Sequence, residues 1–200
     1  MADRDIRLIL FDGAMTSWHF LTRVAKLQQG EKVLILGGSG SLGTAAVQFA
    51  KALGANATAS ASARNAELLH SLGADHFVDY NAEDPLKTGA AYDVVFDTLG
   101  LSYFGAAKPA LADGGRYVCP VLGLALLCDV ILTGLFGRKR AMFAAAGMSK
   151  PEVHREELAL IAKDQFSPVM DRTIRFPIWS RRTLMSKRAA SAATSLWFKE

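Results

Sequence analysis

The chain has 200 residues, half of them hydrophobic, and a formal net charge of +4. That is enough apolar material for one sizeable core, and it excludes global disorder. The two cysteines, Cys119 and Cys128, form no CxxC pair and the four histidines are scattered, which excludes a zinc knuckle, a disulfide scaffold and an HExxH centre.

The first residues, Met1-Ala-Asp-Arg-Asp-Ile-Arg7, are charged and lack the apolar stretch of a secretory signal, so a cytoplasmic location is expected. The most informative run follows at Lys32-Val-Leu-Ile-Leu-Gly-Gly-Ser-Gly-Ser-Leu-Gly43. Its apolar half predicts a strand over about 32–36. Gly38-x-Gly40-x-x-Gly43 then predicts a tight turn, and Thr44 to Leu53 has helical spacing. A strand, a glycine turn and a helix N-terminus make a phosphate site, because the unpaired N–H groups and the positive dipole end face the anion. In this reading Gly38 permits the turn, Gly40 lets the backbone approach a pyrophosphate, and Gly43 lets helix and strand pack closely. Ser39, Ser41 and Leu42 complete the turn. A second strand over about 56–60 closes a βαβ unit, the context that makes the triplet a dinucleotide signature.

Further along, a helix is predicted over about 64–72, ended by Gly73, and a short strand over 76–79. A β-branched strand follows over 93–98. A helix near 103–111 leads to the turn Asp113-Gly114-Gly115 and a fifth strand, about 116–121. Val118 to Gly137 is long enough to span a bilayer, but Pro120 and Asp129 argue instead for a buried strand followed by an apolar helix. Residues 142–146 are read as a sixth strand or a helix, and 152–163 as an amphipathic helix. Alternation of this kind implies an α/β fold, a doubly wound parallel sheet with helices on both faces in three αβα layers. The charge is unevenly spread: residues 172–200 carry seven basic residues and one acidic one, whereas the rest carries 16 and 18. The high pI therefore belongs to the tail, and neither a nucleic-acid nor a membrane partner is expected of the nucleotide fold.

The coenzyme can be read from the end of the second strand. An NAD site usually has a carboxylate there to hold the ribose hydroxyls. Here the segment is Ser60-Ala-Ser-Ala-Arg64-Asn65, with no acid before Glu67. A guanidinium pairs well with phosphate, so Ser62 and Arg64 suit the 2′-phosphate of NADP(H) better than the free ribose of NAD(H).

The segments Gly30-Glu-Lys-Val-Leu-Ile, the glycine turn, Ala46-Val-Gln-Phe-Ala-Lys-Ala-Leu-Gly-Ala55, Leu72-Gly-Ala-Asp75, Val78-Asp-Tyr80 and Tyr92-Asp-Val-Val-Phe-Asp-Thr98 occur in that order. Together they resemble the zinc-independent quinone-oxidoreductase branch of the medium-chain dehydrogenase/reductases, over about residues 15–171. The resemblance implies hydride transfer from NADPH to a quinone or enone, without zinc. It implies that Ser62, Arg64 and Tyr80 hold the 2′-phosphate, and that Thr16 lies near the nicotinamide. Leu99, Gly100 and Val121 would line the nicotinamide pocket.

The resemblance also implies an N-terminal substrate domain, whose substrate-facing residues are expected to be absent here, and a closing glycine-lysine-led strand. In its place stands Arg172-Thr-Ile-Arg-Phe-Pro-Ile-Trp-Ser-Arg-Arg182, ahead of an Ala/Ser/Lys-rich end. The expected organisation is a cofactor domain over 1–171 and a basic tail over 172–200. No catalytic acid is assigned. The competing reading is an NADP(H)-binding module without turnover, whose open apolar cleft favours pairing with a second copy as a homodimer. A short-chain dehydrogenase would need Tyr-x-x-x-Lys, and none of Tyr80, Tyr92, Tyr103 or Tyr117 has it.

Overall fold

A computed structural model of the chain describes residues 13–144 and 166–169. The chain divides into two units, residues 1–169 and 170–200, and all described residues lie in the first. The helix expected over 152–163 and the basic tail lie outside the described residues.

The first helix, α1, spans Met15–His19 and widens into a π-turn over Phe20–Val24. There follow β1 (Lys32–Leu36), α2 (Ser41–Ala52), β2 (Asn56–Ala61), a 3-10 turn Ala63–Asn65 that runs into α3 (Ala66–Ser71), β3 (His76–Asp79) and β4 (Tyr92–Asp97). The rest is α4 (Phe104–Ala107), β5 (Leu111–Val118), α5 (Leu124–Phe136) and β6 (Arg140–Met142). All six strands are parallel, in the order β3-β2-β1-β4-β5-β6. This is the doubly wound Rossmann arrangement, and it reverses direction between β1 and β4.

The central strands read as unbroken apolar runs because both faces are covered. Val33, Leu34 and Ile35 of β1 and Val94, Val95 and Phe96 of β4 are fully buried. One face packs against α1, α2 and α3, with Phe20, Val47, Phe49 and Leu69 in the core. Leu34, Val95, Phe104, Tyr117 and Leu126 form the core on the other face, against α4 and α5.

Two expectations change. The turn at Asp113-Gly114-Gly115 is taken into β5, which starts at Leu111 and ends at Val118 instead of running to Val121. Its pairing with β4 jumps from Tyr92↔Leu111 to Val94↔Arg116, so residues 112–115 bulge out of the ladder. Gly114 makes this easy, with φ +78°. The strand-or-helix reading at 142–146 meets the short strand β6 (Arg140–Met142) only at Met142; residues 143–144 belong to no element and 145–146 lie outside the described residues. The apolar run after β5 is the 13-residue helix α5, and among the described residues no helix is long and apolar enough to cross a membrane.

Candidate cofactor site

The carboxyl ends of β1 and β4 face each other where the sheet order reverses, which is where open α/β sheets bind ligands. The glycine turn leaves β1 at this point. Its left-handed residue is Gly37, with φ +76°, so Gly37 and not Gly38 permits the turn. Gly38 has a packing role: a Cβ there would sit 3.0 Å from that of Ala59 on β2. The Gly38 amide donates to the Ser60 carbonyl at 2.8 Å and so ties the turn to β2. At Gly43 an added Cβ would fall 2.2 Å from the Gly37 carbonyl oxygen, so its close contact is with the turn, where the sequence reading put the helix against the strand.

Gly40 differs from both. It is the N-cap of α2, in extended conformation, and an added Cβ would have only ordinary contact, 3.4 Å from the Gly37 oxygen. Ser39 and Ser41 are exposed and Leu42 is half-buried. No side chain caps α2 and no acid stands in its first turn, so its free amides and positive dipole end are open to an anion.

Helix α1 braces this turn. The Ser17 hydroxyl donates to the Leu42 carbonyl at 2.7 Å, and Gly13 lies so close to Ser41 that no side chain would fit. Thr16, the residue before Ser17, is half-buried.

At the far end of the turn, β2 and β3 pair in register through Ala61↔Asp79, so Ser62 and Tyr80 leave the sheet side by side. The Ser62 hydroxyl accepts from the Asn65 side-chain amide at 3.0 Å. Arg64 and Tyr80 are exposed. No carboxylate ends β2.

The opposite wall is the loop after β4. Leu99 packs over Gly37, where a Cβ would come within 2.8 Å of its side chain. Gly100, at φ +67°, turns against Val121, whose Cβ lies 2.8 Å from where a side chain would begin. The structure thus brings Leu99, Gly100 and Val121 together at the carboxyl edge. A cleft of about 540 Å³ runs between this loop and the end of β2, lined by Gly37, Ser60, Tyr80, Leu99, Leu101 and Tyr103 among others.

Sequence reasoning missed Gly37, Ser17 and Asp97. Gly37 was legible in the doubled glycine, but the triplet spacing drew attention to its neighbour. Asp97 is buried, and its carboxylate accepts from the amides of Leu99, Gly100 and Ser102. Its one visible signal was an acid at the end of the strand, straight after the apolar run Val94-Val95-Phe96. Among the described residues no group of three or more His, Cys, Asp or Glu side chains is arranged to hold a metal ion.

A family model described as "Zinc-binding dehydrogenase" matches residues 41–163. A zinc-type alcohol dehydrogenase-like protein of Schizosaccharomyces pombe is 39% identical over 108 residues, 52% of this chain and 31% of that protein. The mitochondrial NAD(P)H oxidoreductase RTN4IP1 of Bos taurus is 40% identical over 94 residues, 44% of this chain and 24% of that one. The chain therefore aligns with a third or less of these relatives' length. The solved quinone oxidoreductase of Coxiella burnetii superposes with a TM-score of 0.71 at 24% identity, over 93% of this chain and 55% of that one, and shares its fold. With the family match covering more than half its residues, and with the strand order and glycine turn described above, the chain belongs to the zinc-binding dehydrogenase family, as the cofactor-binding half of the medium-chain dehydrogenase/reductase fold.

Proposed function

We propose that this chain binds NADP(H) and serves as the cofactor-binding domain of an NADPH-dependent quinone or enone reductase. The observation that carries the reading is the placement of Ser62, Arg64 and Tyr80 beyond the ends of β2 and β3, with no carboxylate ending β2. That arrangement suits a 2′-phosphate, while the uncapped start of α2 suits the pyrophosphate.

When bound, the reduced nicotinamide supplies a hydride. The chain's own part is to hold and screen. The turn from Gly37 to Gly43 gives backbone amides to the pyrophosphate, and Gly40 keeps the approach clear. Arg64 and Ser62 hold the 2′-phosphate. Leu99, Gly100 and Val121 form an apolar wall that excludes water beside the nicotinamide, with Thr16 on the α1 side. Positioning of donor and acceptor accounts for much of the rate in such reactions.

An NADP(H)-binding module without turnover is the second reading. It is favoured by the exposure of Leu99 and Leu101 along the cleft. The exposed apolar stripe Leu124, Leu127 and Ile131 on α5 supports self-association in either case. NADPH oxidation followed with a panel of quinones and enones separates the two.

Coenzyme choice tests the binding site itself. Arg64→Ala is expected to weaken NADPH by roughly 1.5–3 kcal/mol, the scale of a charged hydrogen bond, and to leave NADH nearly unchanged. Calorimetric titration with both coenzymes measures this, and equal losses for the two would contradict the role of Arg64.

A further inference from the structure

The carboxylate of Asp97 is 1% exposed, and the structure gives it four hydrogen bonds. Oδ1 accepts from the amides of Leu99 at 3.1 Å and Gly100 at 2.8 Å. Oδ2 accepts from the amide of Ser102 at 2.8 Å and from the hydroxyl of Tyr117 at 2.9 Å. The side chain at the end of β4 therefore stands in as the acceptor for a loop that has left the sheet, and the neighbouring strand β5 fixes the carboxylate through Tyr117. Burial first, and then the charge of Asp97, push the Tyr117 phenol far above its usual range, so it remains a donor at every working pH.

The loop so held is the wall of the cleft: Leu99, Leu101, Ser102 and Tyr103 all line it. Thr98 ties the same loop to the end of β1 through its hydroxyl, which donates to the Leu36 carbonyl at 2.7 Å. We propose that Asp97, which itself lies at the edge of the cleft, and Tyr117 form a positioning pair that fixes the 99–102 loop against the glycine turn, and that this pair sets cofactor affinity through the loop. The acceptors of Asp97 are fully used within the chain, so its effect is exerted through the loop. The inference rests on the cofactor reading above.

Asp97→Asn and Tyr117→Phe test it. An asparagine carries an acceptor at one end and donors at the other. In either orientation it leaves the Ser102 amide or the Leu99 and Gly100 amides without an acceptor. Tyr117→Phe keeps the buried ring and removes one bond, so it remains informative if the asparagine variant does not fold. Hydrogen exchange of the Leu99, Gly100 and Ser102 amides in the cofactor-free protein reads the loop directly, and a rise of about tenfold or more is expected. The NADPH dissociation constant is expected to rise roughly tenfold in Asp97→Asn and a few-fold in Tyr117→Phe. At saturation, the emission of bound NADPH should move toward that of free NADPH, because a loosened Leu99 no longer excludes water. A merely stabilising pair would lower the melting temperature and leave the affinity and emission of the folded variants at wild-type values. That result, or unchanged amide exchange, overturns the inference. Failure of the wild-type chain to bind NADPH at all would instead remove the cofactor reading, and the pair's role with it.

Discussion

Gly40→Val is expected to fold and to lose NADPH binding, whereas Gly43→Val is expected to be strongly destabilised. The two glycines stand three residues apart in one motif, yet they answer to different constraints. At Gly43 a Cβ would lie 2.2 Å from the Gly37 oxygen and 2.6 Å from the Gly38 Cα, both backbone atoms of the turn. Neither can give way without moving α2 off the sheet, and overpacking of this kind costs about 1–3 kcal/mol or more. At Gly40 the φ of −76° is open to any residue and the nearest contact is 3.4 Å. A side chain there costs the empty protein little. Its harm falls on the ligand, because it occupies the space through which the pyrophosphate reaches the first amides of α2. An affinity loss on the order of a hundredfold, about 2.7 kcal/mol, is expected. Circular dichroism and thermal melting establish which variant folds, and calorimetry on the folded one measures the loss. A folded Gly40→Val that binds NADPH normally would take the pyrophosphate away from this turn.

The contrast also marks what was legible in the sequence. The βαβ unit was plain because β1 is a short apolar run, and because a glycine triplet between strand and helix has few structural uses. The parallel sheet followed from alternation alone. Assigning a role to each glycine was beyond the sequence, because the left-handed residue and the close-packed one are fixed by atoms across the turn: Leu99 above Gly37 and Ala59 beneath Gly38. The bulge in β5 was hidden for a related reason. Asp113-Gly114-Gly115 has turn composition and adopts turn-like backbone, but the strand pairs on either side of it. Asp97 was hidden because its partners are backbone amides, which every residue has. Only the path of the 98–102 loop reveals that three of them converge on one carboxylate. The lack of an acid at the end of β2, with Arg64 close behind it, was visible without coordinates.

Phe20→Ala should be the most damaging single truncation on the α1 side of the sheet. Phe20 lies in the π-turn of α1, is fully buried, and stacks on Phe96 of β4 with ring centroids 5.7 Å apart and planes within 11°. Trp18, two residues earlier, meets Phe49 of α2 at 5.1 Å, and Phe49 in turn stacks on Phe166 at 4.7 Å. The ring of Phe20 is thus the link that joins α1 to the central sheet, while Trp18 joins it to α2. Removing such a ring from a packed core costs about 3–5 kcal/mol, through lost transfer energy and the cavity left behind. Against a total stability of roughly 5–15 kcal/mol this is a large share. For a chain of this size it corresponds to a fall in melting temperature of roughly 6–20 °C. The cofactor site should survive in the molecules that remain folded, because the bracing bond from Ser17 to Leu42 does not pass through Phe20. NADPH at a hundred times its dissociation constant should therefore return about 2.7 kcal/mol, as it does for any ligand that binds only the native state. Thermal melts of wild type and variant, each with and without saturating NADPH, give all four numbers. A variant that melts like the wild type would show that α1 is not part of the core. A variant that melts low and gains nothing from NADPH would show that the anchoring of α1 and the shape of the glycine turn depend on the same ring.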